Sequence, residues 1–162
     1  MSARPATHGI FTIRRTLDAP VALVFRTWSD KAHKARWFKG PAGWTEEIRE
    51  RNFRVGGRDR LRGRWDAQSR AWRTSDFNAV YFDIVADSRI VYVYEMAIDG
   101  VKISVSLATV TFAALDGGRT QLTVTEQGTF LDGYEDGDRR EEGVAAQIDM
   151  LAESLKGRRP EG

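Results

Sequence analysis

The chain has no cysteine among its 162 residues. That absence excludes disulfides, thiolate nucleophiles and every metal site built on sulfur. Histidine is nearly as scarce: His8 reads as part of an N-terminal tail, and His33 falls among Lys31, Lys34 and Arg36 on a polar helix face. Neither has a partner at metal-ligand spacing, so no metal and no histidine-based triad is expected. Phosphate-loop and dinucleotide fingerprints are missing as well, since Gly56-Gly57 and Gly117-Gly118 read as turn glycines. No cofactor is expected. No apolar run approaches the ~18 residues needed to span a bilayer. The opening Met1-Ser2-Ala3-Arg4-Pro5 lacks the apolar stretch of a signal peptide. The expectation is a soluble cytoplasmic protein with no membrane partner.

What is present is globular in character: 41% hydrophobic, 30% charged and 10% aromatic residues. The length suits one domain over 1–162, ordered from about 9 to about 157. Folding at this size buries roughly 70% of the open chain's surface. Net charge is only +2, but it is unevenly spread. Residues 49–73 hold nine arginines against Glu50, Asp59 and Asp66, whereas residues 126–149 hold eight acids against Arg139 and Arg140. Two solvated faces of one domain account for such a split, and so does an interface.

Ile10 to Leu17 alternates and is β-branched, a strand stopped by Asp18-Ala19-Pro20. Proline suits the first turn of a helix, where Val21, Val24, Phe25 and Trp28 then share one face. Ser29-Asp30 caps a second short helix carrying Ala32, Ala35 and Phe38, ended by Lys39-Gly40-Pro41. From Trp44 to Phe130 the pattern is β. Candidate strands are Trp44–Phe53, Arg58–Trp65, Phe77–Val85, Ile90–Ile98, Val101–Ala114 and Arg119–Phe130, with strong hairpin signals at Asp99-Gly100 and Asp116-Gly117-Gly118. A last helix has Asp138 as N-cap with Glu141 three residues on, an apolar stripe of Val144, Ile148, Leu151 and Leu155, and Gly157 as its stop. The acids between Asp132 and Glu142 suit its positive end. This order predicts an α+β fold in which six or seven antiparallel strands bury one face against a long C-terminal helix. A twisted sheet curling around a helix leaves a hollow, because the helix cannot fill the whole concave surface.

Several motifs occur in a fixed order along nearly the whole chain. They are Asp18-Ala19-Pro20 with Val24-Phe25 and Trp28, Arg36-Trp37-Phe38 with Gly40-Pro41, and Phe53-Arg54-Val55-Gly56-Gly57. Next come Tyr81-Phe82-Asp83-Ile84-Val85 before Arg89-Ile90-Val91, then Gly118-Arg119-Thr120-Gln121-Leu122-Thr123, Thr125-Glu126-Gln127-Gly128 and the terminal helix. In these the chain resembles the START/Bet v 1-like (SRPBCC) superfamily, and within it the bacterial proteins akin to the C-terminal domain of the heat-shock-protein ATPase activator. The resemblance implies a helix-grip fold: a curved sheet wrapped around the last helix, two short helices after the first strand, and a cavity for a small lipophilic molecule. Relatives include polyketide cyclases and hydrolases, so it implies a hollow without naming the occupant. Many relatives carry an aromatic after the glycine of the last helix, where this chain has Gly143-Val144.

In such a fold the core wall is also the cavity wall. Trp37, Phe38, Leu61, Trp65, Tyr81, Tyr94, Glu126 and Met150 are the candidate ligand contacts. On the strand Arg58 to Trp65, four arginines alternate with Asp59, Leu61, Gly63 and Trp65, so the Asp59 side is predicted to face inward. Asp59 then either enters the cavity or, lying near the strand start, reaches solvent or an arginine. Glu126 alternates with Leu122 and Val124, and Glu95 with Val91 and Val93. Asp59, Glu126 and Glu95 are therefore the candidates for acid–base catalysis, the enzyme alternative to simple binding. Whether the Tyr92–Tyr94–Met96 face or the Val91–Val93–Glu95 face points inward is left open. The arginine stripe admits a nucleic-acid surface, but Glu46, Glu47 and Glu50 interleave with it and few aromatics accompany it. Association of two copies, basic sheet against acidic helix start, is the homodimer alternative.

Overall fold

The computed structural model describes residues 3–65 and 73–156. Seven strands form one antiparallel sheet: β1 (Ala6–Leu17), β2 (Trp44–Arg51), β3 (Arg58–Trp65), β4 (Arg73–Val85), β5 (Arg89–Ile98), β6 (Val101–Leu115) and β7 (Arg119–Leu131). Three helices accompany it: α1 (Val21–Ser29), α2 (Lys31–Trp37) and α3 (Gly137–Leu155). The spatial order is β1-β7-β6-β5-β4-β3-β2. From β2 to β7 every step is thus a hairpin to the next neighbour. β1 closes onto β7 in unbroken register, from Ala6 opposite Leu131 to Leu17 opposite Thr120. The two short helices carry the chain from one sheet edge to the other. This is the helix-grip arrangement.

Local chemistry accounts for the turns and caps. At the β5–β6 turn Asp99 and Gly100 have φ of 50° and 79°, the paired left-handed conformation that matches the twist of a two-residue hairpin. Pro20 occupies the N-cap position, one residue earlier than the predicted first turn, and α1 buries Val24, Phe25, Thr27 and Trp28. The Asp30 carboxylate accepts a hydrogen bond from the His33 backbone N–H at 2.9 Å and so caps α2 as predicted.

Three local expectations need correction. α2 buries His33, Lys34 and Trp37, while Ala32 is exposed. A seven-residue helix has too few turns to define a unique stripe, and the burial of Trp37 decides the rotation. His8 belongs to β1, opposite Thr129, because β7 is long enough to extend the pairing back to Ala6. The N-cap of α3 is Asp136, which accepts from the Arg139 N–H at 2.9 Å; Asp138 lies in the first turn, where its charge still complements the helix dipole. The predicted stop at Gly157, and Asp66 and Arg70 of the arginine-rich segment, lie outside the described residues.

The core lies between the concave sheet face and the helices. Phe25 meets Phe112 edge to face with centroids 5.3 Å apart, and Trp28 meets Trp37 at 4.7 Å. On α3, Ile148, Leu151 and Leu155 are buried and Val144 is half-buried, as the stripe predicts. One further turn toward its start, the same stripe buries Arg140.

Candidate functional site

The inward faces are fixed by alternation. On β3 Asp59, Leu61 and Gly63 are buried while Arg58 and Arg64 are exposed. On β5 the inward set is Tyr92, Tyr94 and Met96, which resolves the face left open above. β6 offers only small residues at Ser104, Ser106 and Ala108 on this side. Tyr94 on β5 and Glu126 on β7 flank that small-residue strip, with Tyr94 opposite Ser106 and Glu126 opposite Ala108. Two strand spacings, roughly 10 Å, separate their backbones. The tyrosine side chain bridges that distance because nothing large stands on β6.

Between this wall, α3 and the segment after α2 lies a cavity of about 480 Å³. Its size falls in the range of small-molecule sites, ~300–1,000 Å³. Trp28, Trp37, Phe38, Trp44, Leu61, Trp65, Phe77, Tyr92, Met96, Ile148 and Met150 supply most of the lining. The polar end is built by Tyr94, Glu126, Glu135 and Arg140. The Tyr94 hydroxyl donates to Glu126 Oε1 at 2.5 Å and accepts from Arg140 at 2.9 Å. Arg140 also donates to Ser104 Oγ at 2.7 Å and to Glu135 Oε2 at 2.6 Å. Burial pushes the Glu126 carboxyl up to about 6, although the Tyr94 hydrogen bond and the Arg140 charge pull the other way. Burial and the Glu126 charge likewise raise the Tyr94 phenol. Arg140 is held charged despite its burial by Tyr94 and Glu135.

A second polar cluster lies beside the cavity. Lys34 donates to Asp59 Oδ2 at 2.6 Å and the Tyr81 hydroxyl donates to the same oxygen at 2.7 Å. Arg51 Nε stands 3.5 Å from it, and its other nitrogens hold the Trp28 and Ser29 carbonyls at the end of α1. Burial opposes ionisation of Asp59, but Lys34, Tyr81 and Arg51 together outweigh it and hold the carboxyl below its usual range. Lys34 also sits 4.6 Å from the Phe38 ring centroid, a cation–π contact. This cluster ties α1, α2, β2, β3 and β4 together at one end of the cavity.

The family model for the activator of Hsp90 ATPase homolog 1-like protein matches residues 18–157. The chain belongs to that family. A protein of Rhizobium leguminosarum is 38% identical over 97% of this chain and 100% of its own, with a TM-score of 0.86. One from Rhizobium loti is 36% identical over 93% and 99%, with a TM-score of 0.78. An activator-homologue-like protein from Aeromonas hydrophila shares the fold at 19% identity and a TM-score of 0.65, over 91% of this chain and 92% of its own. No protein of curated function matches.

In this family member the predicted site residues divide clearly. Trp37, Phe38, Leu61, Trp65, Tyr94, Glu126 and Met150 are on the cavity wall. Tyr81 is buried but does not line it; its hydroxyl is spent on Asp59. Asp59 is 3% exposed and reaches neither solvent nor the cavity; it does reach an arginine, Arg51 at 3.5 Å, with the unforeseen Lys34 closer still at 2.6 Å. Glu95 faces outward, half-exposed and bonded to Lys102 at 2.9 Å, because the tyrosines of β5 take the inner face. Three carboxylates therefore do not converge. Of the predicted trio, Glu126 alone lines the cavity.

Sequence reasoning missed Arg140, Lys34 and Ser104. Arg140 was detectable, since it lies four residues before Val144 on the apolar stripe of α3. Lys34 shares a helix face with Trp37, but only the position of Asp59 explains its burial. His33, expected on a polar face, is 1% exposed, and burial lowers its basicity. Three of the β3 arginines have acidic neighbours: Arg60 pairs with Asp76 at 3.1 Å, and Arg62 and Arg64 share Glu47, while Arg58 is exposed. Two carboxylates thus offset part of the charge of the four arginines. Among the described residues no group of three or more metal-ligating side chains gathers, and no helix is long and apolar enough to cross a membrane.

Proposed function

We propose that this chain binds a small, largely apolar molecule in the cavity between the sheet and α3. The observation that carries the reading is a cavity of about 480 Å³ walled largely by aromatic and aliphatic side chains, with Glu126, Tyr94 and Arg140 joined in one hydrogen-bonded polar group on its wall. A hollow of this size with orienting polar groups has the anatomy of a ligand site. Family membership agrees with it. The acid–base alternative has less support, since Asp59 is locked by Lys34 and Glu95 is outside.

Native mass spectrometry of the purified protein, followed by denaturing extraction, tests the proposal. A discrete adduct that is released on denaturation is the expected result. A cavity-filling Val144→Trp variant should lose the adduct while keeping its circular dichroism, because Val144 lines the space. A bare mass, together with no uptake of any apolar probe, would remove the reading.

A further inference from the structure

The polar end of the cavity has a direction. A guanidinium can only donate. Arg140 gives its hydrogen bonds to Tyr94, Ser104 and Glu135, so the Tyr94 oxygen accepts from Arg140 and sends its own proton to Glu126 Oε1. The relay ends on a carboxylate. Among the described residues no donor reaches the second oxygen of Glu126, although the residue is only 3% exposed and lines the cavity. The cations of the wall are committed elsewhere: Lys34 to Asp59 and Arg140 to Glu135, while Lys39 is exposed. The Trp28 indole N–H, in the same wall, is buried without an acceptor but carries no charge. Among the described residues the cavity wall thus offers an open anionic acceptor and no uncommitted buried cation.

We infer that the cavity selects apolar molecules bearing a hydroxyl-type hydrogen-bond donor and rejects those bearing a carboxylate. A donor completes the unfilled side of Glu126 in a charge-assisted hydrogen bond. A carboxylate brings a second anion against the first where burial already penalises one. The inference rests on the cavity-binding reading proposed above and names the chemistry of its occupant.

Naphthalene, naphthol and naphthoate form a test series of nearly constant shape, titrated by calorimetry or tryptophan fluorescence at about pH 7.5. Naphthol should bind about tenfold more tightly than naphthalene, the ratio expected for one charge-assisted hydrogen bond, and naphthoate more weakly than either. In Glu126→Gln the naphthol advantage should shrink below about threefold and naphthoate should gain. Tyr94→Phe, which leaves Glu126 charged, should keep the order, and the wild-type series decides the matter even if either variant folds poorly. Equal affinities, or naphthoate binding as tightly as naphthol, would overturn the inference and leave the cavity reading standing. Failure of all three probes to bind would overturn the inference and, with a bare native mass, the cavity reading as well.

Discussion

Replacing Glu126 by glutamine should stabilise the protein relative to its parent increasingly as pH rises. Burial pushes the carboxyl from its ordinary 4.5 to about 6, so the folded protein holds this proton more tightly than the unfolded chain. The stability contributed by such a group is fully present below the unfolded value and is lost as pH rises through the folded one. A difference of about 1.5 between the two values corresponds to about 2 kcal/mol. Roughly three quarters of it is lost between about pH 4.5 and about pH 6.5. Glutamine keeps an acceptor for the Tyr94 hydroxyl but does not titrate. Subtracting the variant's unfolding free energy from the parent's therefore cancels the other carboxylates and isolates this one. Urea unfolding followed by tryptophan fluorescence at half-unit pH steps gives the curve. The parent should fall behind the variant by about 2 kcal/mol across the range, flattening above about pH 7. A difference curve that is flat, or that slopes the other way, would refute the assignment of Glu126 as a carboxyl made less acidic by burial.

Further outcomes follow from the other packed groups. Lys34→Met leaves Asp59 buried with its principal cation gone and should cost about 3–5 kcal/mol in urea unfolding, with partial recovery when Asp59→Asn is added; a loss below about 1 kcal/mol would mean that Arg51 and Tyr81 suffice. A methyl group at Gly63 would occupy the space of the Trp44 ring, so Gly63→Ala should cost about 1–3 kcal/mol and change tryptophan emission, whereas an unchanged spectrum would show that Trp44 does not rest there. Asp136→Ala removes the side-chain cap of α3 and should lower stability by about 1 kcal/mol, and Asp136→Asn should restore most of it.

The fold was legible because its signals are local and repeated. Alternation of apolar residues marks β3 to β7, Asp99-Gly100 imposes the hairpin between β5 and β6, and a stripe from Val144 to Leu155 marks α3. Each follows from backbone geometry and the hydrophobic effect acting over a few residues, and the order of elements then leaves little choice of topology. The arginines of β3 also disclosed their orientation, since four of them cannot line an apolar interior.

The site was legible only in part. The sequence could place Leu61, Trp65 and Glu126 on the face that turns inward, because side-chain direction along a strand alternates with a period of two, but the two faces of β5 were equally apolar and only packing turned Tyr94 inward. It could not say that Lys34 would leave the polar face of α2, because the energy of burying an ammonium depends on a carboxylate 25 positions away in the chain. Nor could it separate Asp59 from Glu126, two inward carboxylates with the same alternating pattern. Tertiary structure set one against Lys34, Arg51 and Tyr81 and the other on the cavity wall, so that the first is held ionised and the second is pushed up to about 6. Patterning determined which residues turn inward. What each meets there, and hence its charge and its chemistry, was decided by packing between elements remote in sequence.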